Sequence, residues 1–302
     1  MVISGNNRRI GVEHLFDILH EDDDLLVINK PAGLVCHPTK TDEYSSLIGR
    51  VRLYFGKPPP CPSVHSSKFK VQDSHVSGSL SDPSTLNPPL HPAHPHLVNR
   101  LDRETSGIVI VAKSQAVAGE LGKALESRTM EKEYVAIVHG HLSENHGAID
   151  APLGKDERSR IAIKDCVRTD GVASCTEYWV ERRFSCARSE PNVSRSISKP
   201  STLHSQLFSL IRLRPHTGRK HQIRIHLAYI GHSIVGDKLY GGDEDLYMAL
   251  VEDRLTEQQR AQLIFPHHAL HASKVRFTWR GIERVFESPR PALFSDFISM
   301  SA

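Results

Sequence analysis

No run of about 18 apolar residues, the length a helix needs to cross a bilayer, occurs in these 302 residues, so no membrane partner is expected. The opening MVISGNNRRIGVEHLFDILHEDDD has neither the apolar core of a secretion signal nor the composition of a transit peptide, which predicts a cytoplasmic location. No C-x-x-C pair occurs among Cys36, Cys61, Cys166, Cys175 and Cys186, and the odd count leaves any disulfide framework incomplete; reduced thiols are expected. H-E-x-x-H spacing is missing from the nineteen histidines as well. HPAHPH (91–96) and PHHALH (266–271) therefore read as loop or core histidines, and no metal is expected. Asp22, Asp23 and Asp24 lack calcium-loop spacing and read as a solvated turn. The most informative absence is of acid: between Glu190 and Asp237 there is none, while Arg195, Lys199, Arg212, Arg214, Arg219, Lys220 and Arg224 all fall there. Phe208, Ile211, Leu213 and Ile223 interleave with these cations, which makes the stretch a folded basic surface suited to phosphate.

With 39% hydrophobic and 24% charged residues, the chain is long enough to bury a full-sized core. Leu25–Ile28 is a short apolar strand before a Lys-Pro-Ala-Gly turn. Residues 57–96 hold nine of the eighteen prolines and much serine and histidine, so they read as a long loop or disordered insertion. Order is expected to return at Leu97. GIVIVAK (107–113) is a β-branched, wholly apolar run that suits a strand buried on both faces. Ser114 is placed to cap a helix carrying Val117, Leu121, Ala124 and Leu125 at helical spacing. Further strands are predicted over 132–140, 176–184, 206–215 and 274–279, with an extended hairpin loop at 185–202. A helix is predicted over 219–230, ended by Gly231, and an acidic helical insertion over 243–262. Strands and helices are mixed without a regular βαβ repeat, so the expected class is α+β, with a mixed, largely antiparallel sheet flanked by helices.

One carboxylate is unusually placed. In NRLDRETSGIVIVAKS (99–114), Asp102 sits between Arg100 and Arg103, on a loop joined directly to the buried run. A turn acid could merely cap a backbone group. An arginine nearby would instead keep it ionised, and a carboxylate so held can attack a glycosidic carbon. Glycosidases need a second carboxyl group to protonate the leaving oxygen, and no second acid in a comparable setting is evident. A bond whose leaving group is already a tolerable anion, such as that between ribose C1′ and uracil N1, removes the requirement.

NRLDRETSG resembles the H-R-L-D-R-x-T-S-G signature of the RluA-type RNA pseudouridine synthases. EDDDLLVINKPAGLVCHP, EKEYVAIVHG, HTGRKHQIRIHLAYIGHSIVGDKLYGG and HHALHASKVRF resemble that family's other blocks in order, over roughly residues 16–280. The resemblance implies isomerisation of selected uridines in ribosomal or transfer RNA without metal or organic cofactor. Asp102 matches the catalytic aspartate, Tyr134 the tyrosine that stacks on the target base, and Arg224 the arginine that pairs with the aspartate. Arg100 matches the residue that fills the gap left by the flipped base, and Arg103, Arg219, His221, Gln222 and Leu239 fall in blocks expected to contact substrate. Asn99 stands where the family has His, and an amide both donates and accepts. Residues 1–15 form an N-terminal extension and 16–302 the catalytic domain, without the N-terminal S4 domain of some members. A monomer acting on an RNA stem-loop is expected. The competing reading is an inactive RNA-binding or ribosome-assembly protein on the same fold.

Overall fold

Strand β4 (Ser106–Ala112) lies at the centre of the molecule's longest-range pairing, and its sequence shows why. Its alternate residues enter two different cores: Ile108, Ile110 and Ala112 pack with Leu25, Val27, Val117 and Phe277 on one side, while Val109 and Val111 pack with Leu26, Ile28 and Leu47 on the other. With a side-chain period of two, only a continuously apolar run can satisfy both faces. Each such buried side chain stabilises the fold by about 2 kcal/mol. The neighbouring β2 (Leu25–Lys30) is built the same way and runs antiparallel to β4, with Leu25 opposite Ala112 and Lys30 opposite Gly107.

This computed structural model describes residues 16–38, 45–56, 94–188 and 204–300. Its main sheet begins at β1 (Asp17–Glu21), passes through β2 and β4, and continues with β11 (Leu270–Trp279), β5 (Glu131–His139), β10 (His204–Pro215), β9 (Cys175–Arg188) and β6 (His146–Asp150). β3 (His96–Leu97) adds to β4, and β12 (Ile282–Glu287) adds to β11. A separate two-stranded sheet joins β7 (Leu153–Lys155) to β8 (Asp165–Val167). Among the named strands the one parallel pairing is β4 with β11, and the others are antiparallel. That parallel junction depends on Gly107, whose φ is +110° and where a Cβ would stand 2.2 Å from the carbonyl oxygen of Ala272. Only glycine lets the two backbones approach so closely.

Helices α1 (Leu47–Tyr54), α2 (Gln115–Glu126), α3 (Gln222–Tyr229), α4 (Glu244–Val251), α5 (Glu257–Leu263) and α6 (Ala292–Ser299) flank the sheets, so the α+β class expected from the sequence is the one observed. Ser114 caps α2, its Oγ accepting from the backbone N–H of Val117. The acidic stretch 243–262 forms α4 and α5, the second starting with a capping box between Thr256 and Gln259. Asp22 organises its turn by accepting from the N–H groups of Asp24 and Leu25. Among the described residues no helix is long and apolar enough to cross a membrane.

Three expectations need adjustment. The helix predicted from residue 219 begins at Gln222, because the Gln222 side-chain oxygen accepts from Thr217 Oγ1 (2.6 Å) and the Arg219 N–H (3.1 Å), folding residues 217–221 into a turn over the helix start. Residues 94–96, assigned to the proline-rich insertion, are part of the structured chain, because His96 and Leu97 pair with Ala112 and Val111. The rest of that insertion (57–93), like the extension 1–15, lies outside the described residues. The hairpin loop expected at 185–202 starts later: β9 runs to Arg188, paired with His204, and 189–203 also lie outside the described residues.

Candidate active site

The loop joining β3 to β4 is held from behind by contacts with four other segments. Asn99, which is buried, donates from Nδ2 to the Ile108 carbonyl (3.0 Å) and accepts at Oδ1 from the Ile110 N–H (2.8 Å), clamping the loop to β4. The Leu101 N–H and carbonyl both meet Cys36 Sγ, each at 3.4 Å. The carbonyl of Arg103 accepts from the Gly33 N–H (2.8 Å) and from Lys30 Nζ (3.2 Å). Lys30 is wholly buried and also donates to the carbonyls of Pro31 and Leu34; burial lowers its ammonium pKa to about 8. Glu104 accepts from Lys238 Nζ at 2.8 and 3.1 Å. Burial alone would raise the Glu104 carboxyl, but His267, Lys238 and His268 outweigh it and hold the group at about 2. Thr105 Oγ1 shares a 2.7 Å hydrogen bond with His268 Nε2, and burial brings that imidazole down to about 4, so it is neutral at pH 7.

These clamps leave Asp102 at the tip, where the Thr105 N–H donates to its carbonyl. Its carboxylate accepts from Arg224 Nη1 at 2.8 Å, and its other oxygen is 3.8 Å from His221 Nε2. Arg224 is buried and turns its other edge to Asp237, Nε and Nη2 donating at 2.7 and 2.8 Å. Asp237 is buried in turn and accepts from the N–H groups of Leu239 and Tyr240. The guanidinium plane, packed 4.9 Å from the Tyr240 ring centroid, is therefore fixed before it meets Asp102. Burial pushes the Asp102 carboxyl up, yet Arg224 and, behind it, His221 and His268 hold it below the ordinary value. With two carboxylates around one guanidinium, the cluster keeps a net negative charge, and Asp102, its side chain 29% exposed, is the member that reaches solvent.

Asp102 lines a cleft of about 1220 Å³ and an adjoining pocket of about 130 Å³ that Tyr134 and Arg224 also line. Tyr134 comes from β5, opposite Leu213 of β10 and Ala272 of β11. Burial and the charge of Asp102 raise its phenol pKa, so it stays protonated. Arg100 and Arg219 line both cavities and are exposed. Arg103, also exposed at the cleft, donates from Nε to the Gly33 carbonyl at 3.3 Å. His221 bonds Tyr240 Oη through Nδ1 (2.9 Å) and holds a left-handed φ of 55°, a conformation that costs a non-glycine residue about 1–2 kcal/mol and aims the ring toward Asp102. Gln222 borders the smaller pocket, but its amide nitrogen is committed to the Cys175 carbonyl and Thr176 Oγ1. Leu239, expected to contact substrate, does not line the cleft. Asp237 folds residues 237–240 tightly, and the Leu239 side chain packs with Leu153, Ile161, Ile225 and Tyr240. Among the described residues no group of three or more His, Cys, Asp or Glu is arranged to hold a metal ion.

Asp237, Glu104, Lys238, His268 and Lys30 were not singled out from the sequence as members of this site. The available signal was charge inside apolar surroundings: Asp237 and Lys238 interrupt SIVGDKLY, and Lys30 ends the apolar LLVINK.

Known proteins identify the class of enzyme to which this fold and cleft belong. The model of the family RNA pseudouridylate synthase matches residues 24–229. The chain is 29% identical over 286 residues to an uncharacterized RNA pseudouridine synthase of Bacillus subtilis, covering 93% of this chain and 71% of that protein. It is 28% identical over 284 residues to the ribosomal large subunit pseudouridine synthase D of Haemophilus ducreyi, covering 93% and 69%. The solved structure of human RNA Pseudouridylate Synthase Domain Containing 1 shares the fold, with a TM-score of 0.62 at 22% identity over 96% of this chain and 89% of that one. The chain belongs to the RNA pseudouridylate synthase family and isomerises uridine to pseudouridine in RNA.

Proposed function

We propose that Asp102 is the group that acts on the ribose of the target uridine, that Arg224 holds it ionised, and that Tyr134 retains the detached uracil. The observation that carries this reading is the chain of charges Asp102–Arg224–Asp237 at the base of the cleft, beside Tyr134. The uridine leaves its stack at a cost of a few kcal/mol, which favours loops over regular duplex. Both attack on C1′ and removal of the C2′ proton start from the ionised form of Asp102 that Arg224 maintains. Departing uracil spreads its charge over its carbonyls and needs no acid. The base then turns over against Tyr134; C5 bonds to C1′ as the Asp102–C1′ ester bond breaks or, on the other route, as Asp102 returns the C2′ proton, and C5 then gives up its proton while N1 takes one up from solvent. Arg100 fills the space the base vacated, while His221 and Gln222 shape the turn that borders the pocket.

The substrate in this reading is a stem-loop of ribosomal or transfer RNA whose uridine is already exposed. One chain suffices, because Asp102, Tyr134, Arg224 and the cations of the cleft all belong to it. Replacing Asp102 with Asn keeps size and removes the charge. Tritium release from 5-³H-uridine RNA should fall on the order of a millionfold while RNA binding persists; a variant with a tenth of the wild-type rate would overturn the assignment.

A further inference from the structure

Strand β10 stays paired to β5 only as far as Leu213 opposite Tyr134, and then turns away at Pro215 into residues 216–221. The gap so opened exposes one more position on the Tyr134 face of β5. By the alternation of a strand, that position is Lys132, two residues before Tyr134. Its side chain borders both the large cleft and the smaller pocket, as do Arg100, Asp102 and Arg219. Its Nζ lies against Gly218: a Cβ added there would stand 3.7 Å away.

Among the described residues the Lys132 ammonium has no hydrogen bond or ion pair. The neighbouring acid Glu133 points to the other face of β5, where Arg214 Nη2 (2.8 Å) and Arg212 Nη1 (3.5 Å) occupy it. Lys220, on the far wall, is paired with Asp165 at 2.8 Å, and His216 with Glu177 at 2.8 Å. Lys132 is nevertheless half-buried, and burial lowers its pKa with no partner offsetting the cost. An ammonium kept there without a counter-charge is an incomplete site, and a compact point charge with three rotatable donors suits a phosphate oxygen.

We infer that Lys132 binds a backbone phosphate flanking the flipped uridine, anchoring the nucleotide at the sugar-phosphate while Tyr134 holds the base. Together the two side chains fix the ends of one nucleotide from one strand face, with Asp102 between them at the ribose. This inference rests on Asp102 and Tyr134 marking the reacting nucleotide. Activity surviving in Asp102→Asn would remove that basis without changing the salt dependence of binding.

The experiment measures binding of the full chain to an RNA hairpin with a uridine-containing loop over a series of KCl concentrations, for wild type, Lys132→Met and Lys132→Arg. Loss of one phosphate contact should weaken binding about tenfold in Lys132→Met. The slope of log K against log salt should become shallower by about 0.7. Lys132→Arg should restore both the slope and the affinity. An unchanged slope with a reduced single-turnover rate would overturn the inference and assign Lys132 to the base or to the placement of Tyr134. If Lys132→Met fails to fold, wild-type chain is tested against hairpins with single neutral methylphosphonate linkages around the target. Weakened binding at a flanking linkage, absent in Lys132→Gln, supports the contact; no effect at either flanking linkage overturns it.

Discussion

Behind the Asp102 turn the buried charges are matched: Lys238 meets Glu104, Arg224 meets Asp237, and Lys30 is wrapped by three carbonyls. In front of it, Arg100, Lys132 and Arg219 border the cleft with no acid within ion-pair distance among the described residues. The two regions follow opposite rules for a physical reason. A buried charge left alone costs several kcal/mol, so the rear must be complete in the free protein. The front is hydrated, so its positive charge is tolerated until an anion arrives. The rear fixes where Asp102 points, and in the proposed reading the front recruits the RNA.

The sharpest break in this contrast is Arg224→Met, which strands Asp237 and releases Asp102 at once. Stability should fall by about 3–5 kcal/mol, and kcat/KM on the order of a thousandfold. Arg224→Lys should recover only part, because a point charge cannot serve Asp237 with a planar fork and still reach Asp102. Denaturant unfolding and tritium release check both, and full activity in the Met variant would show that the rear cluster does not set the chemistry.

A smaller effect is expected from Glu104→Gln, which leaves Lys238 buried without its acid. The carboxyl sits at about 2 rather than 4.5, a shift worth about 3 kcal/mol at neutral pH. Because the folded-state value is the lower one, that stabilisation is complete above pH 4.5 and disappears as the pH falls toward 2. His268 and His271, held at about 4 instead of 6.5, act earlier: below 6.5 the unfolded chain takes up protons the folded one refuses. The wild-type melting temperature should therefore decline from about pH 6.5 downward, and Glu104→Gln should flatten only the portion between 4.5 and 2. An unaltered acid limb would mean that Glu104 is not the group titrating there.

The smallest change in stability belongs to the front. Arg219→Gln should leave the melting temperature unmoved, weaken RNA binding uniformly across sequences, and make the salt slope shallower by about 0.7. A loss of several degrees in melting temperature would show that Arg219 is part of the scaffold, and the contrast between the two regions would fail at that residue.

Much of the local architecture is legible in the sequence. GIVIVAK announced a strand buried on both faces because no alternation was present to give it a wet side. Ser114 announced its helix because a hydroxyl at that position satisfies a free N–H. Asn99 kept the bonding capacity expected of it, donating and accepting across the loop. Leu239 shows the opposite case. Its sequence neighbours Asp237 and Tyr240 meet Arg224, yet the turn fixed by Asp237 directs Leu239 to the core, a direction that sequence order does not encode.

Residue types and their order therefore determined that an acid, a tyrosine and an arginine stand on a strand-joined loop, a strand and a helix, since capping, period and turn chemistry are local properties. Tertiary structure alone decided that Arg224 is shared between Asp102 and Asp237, that Lys238 crosses 134 positions to reach Glu104, and that Lys132 is left facing an open gap. Whether a charge is paired, buried or waiting depends on which distant segments share its surroundings, and the free energy of an ion in a protein is set by those surroundings.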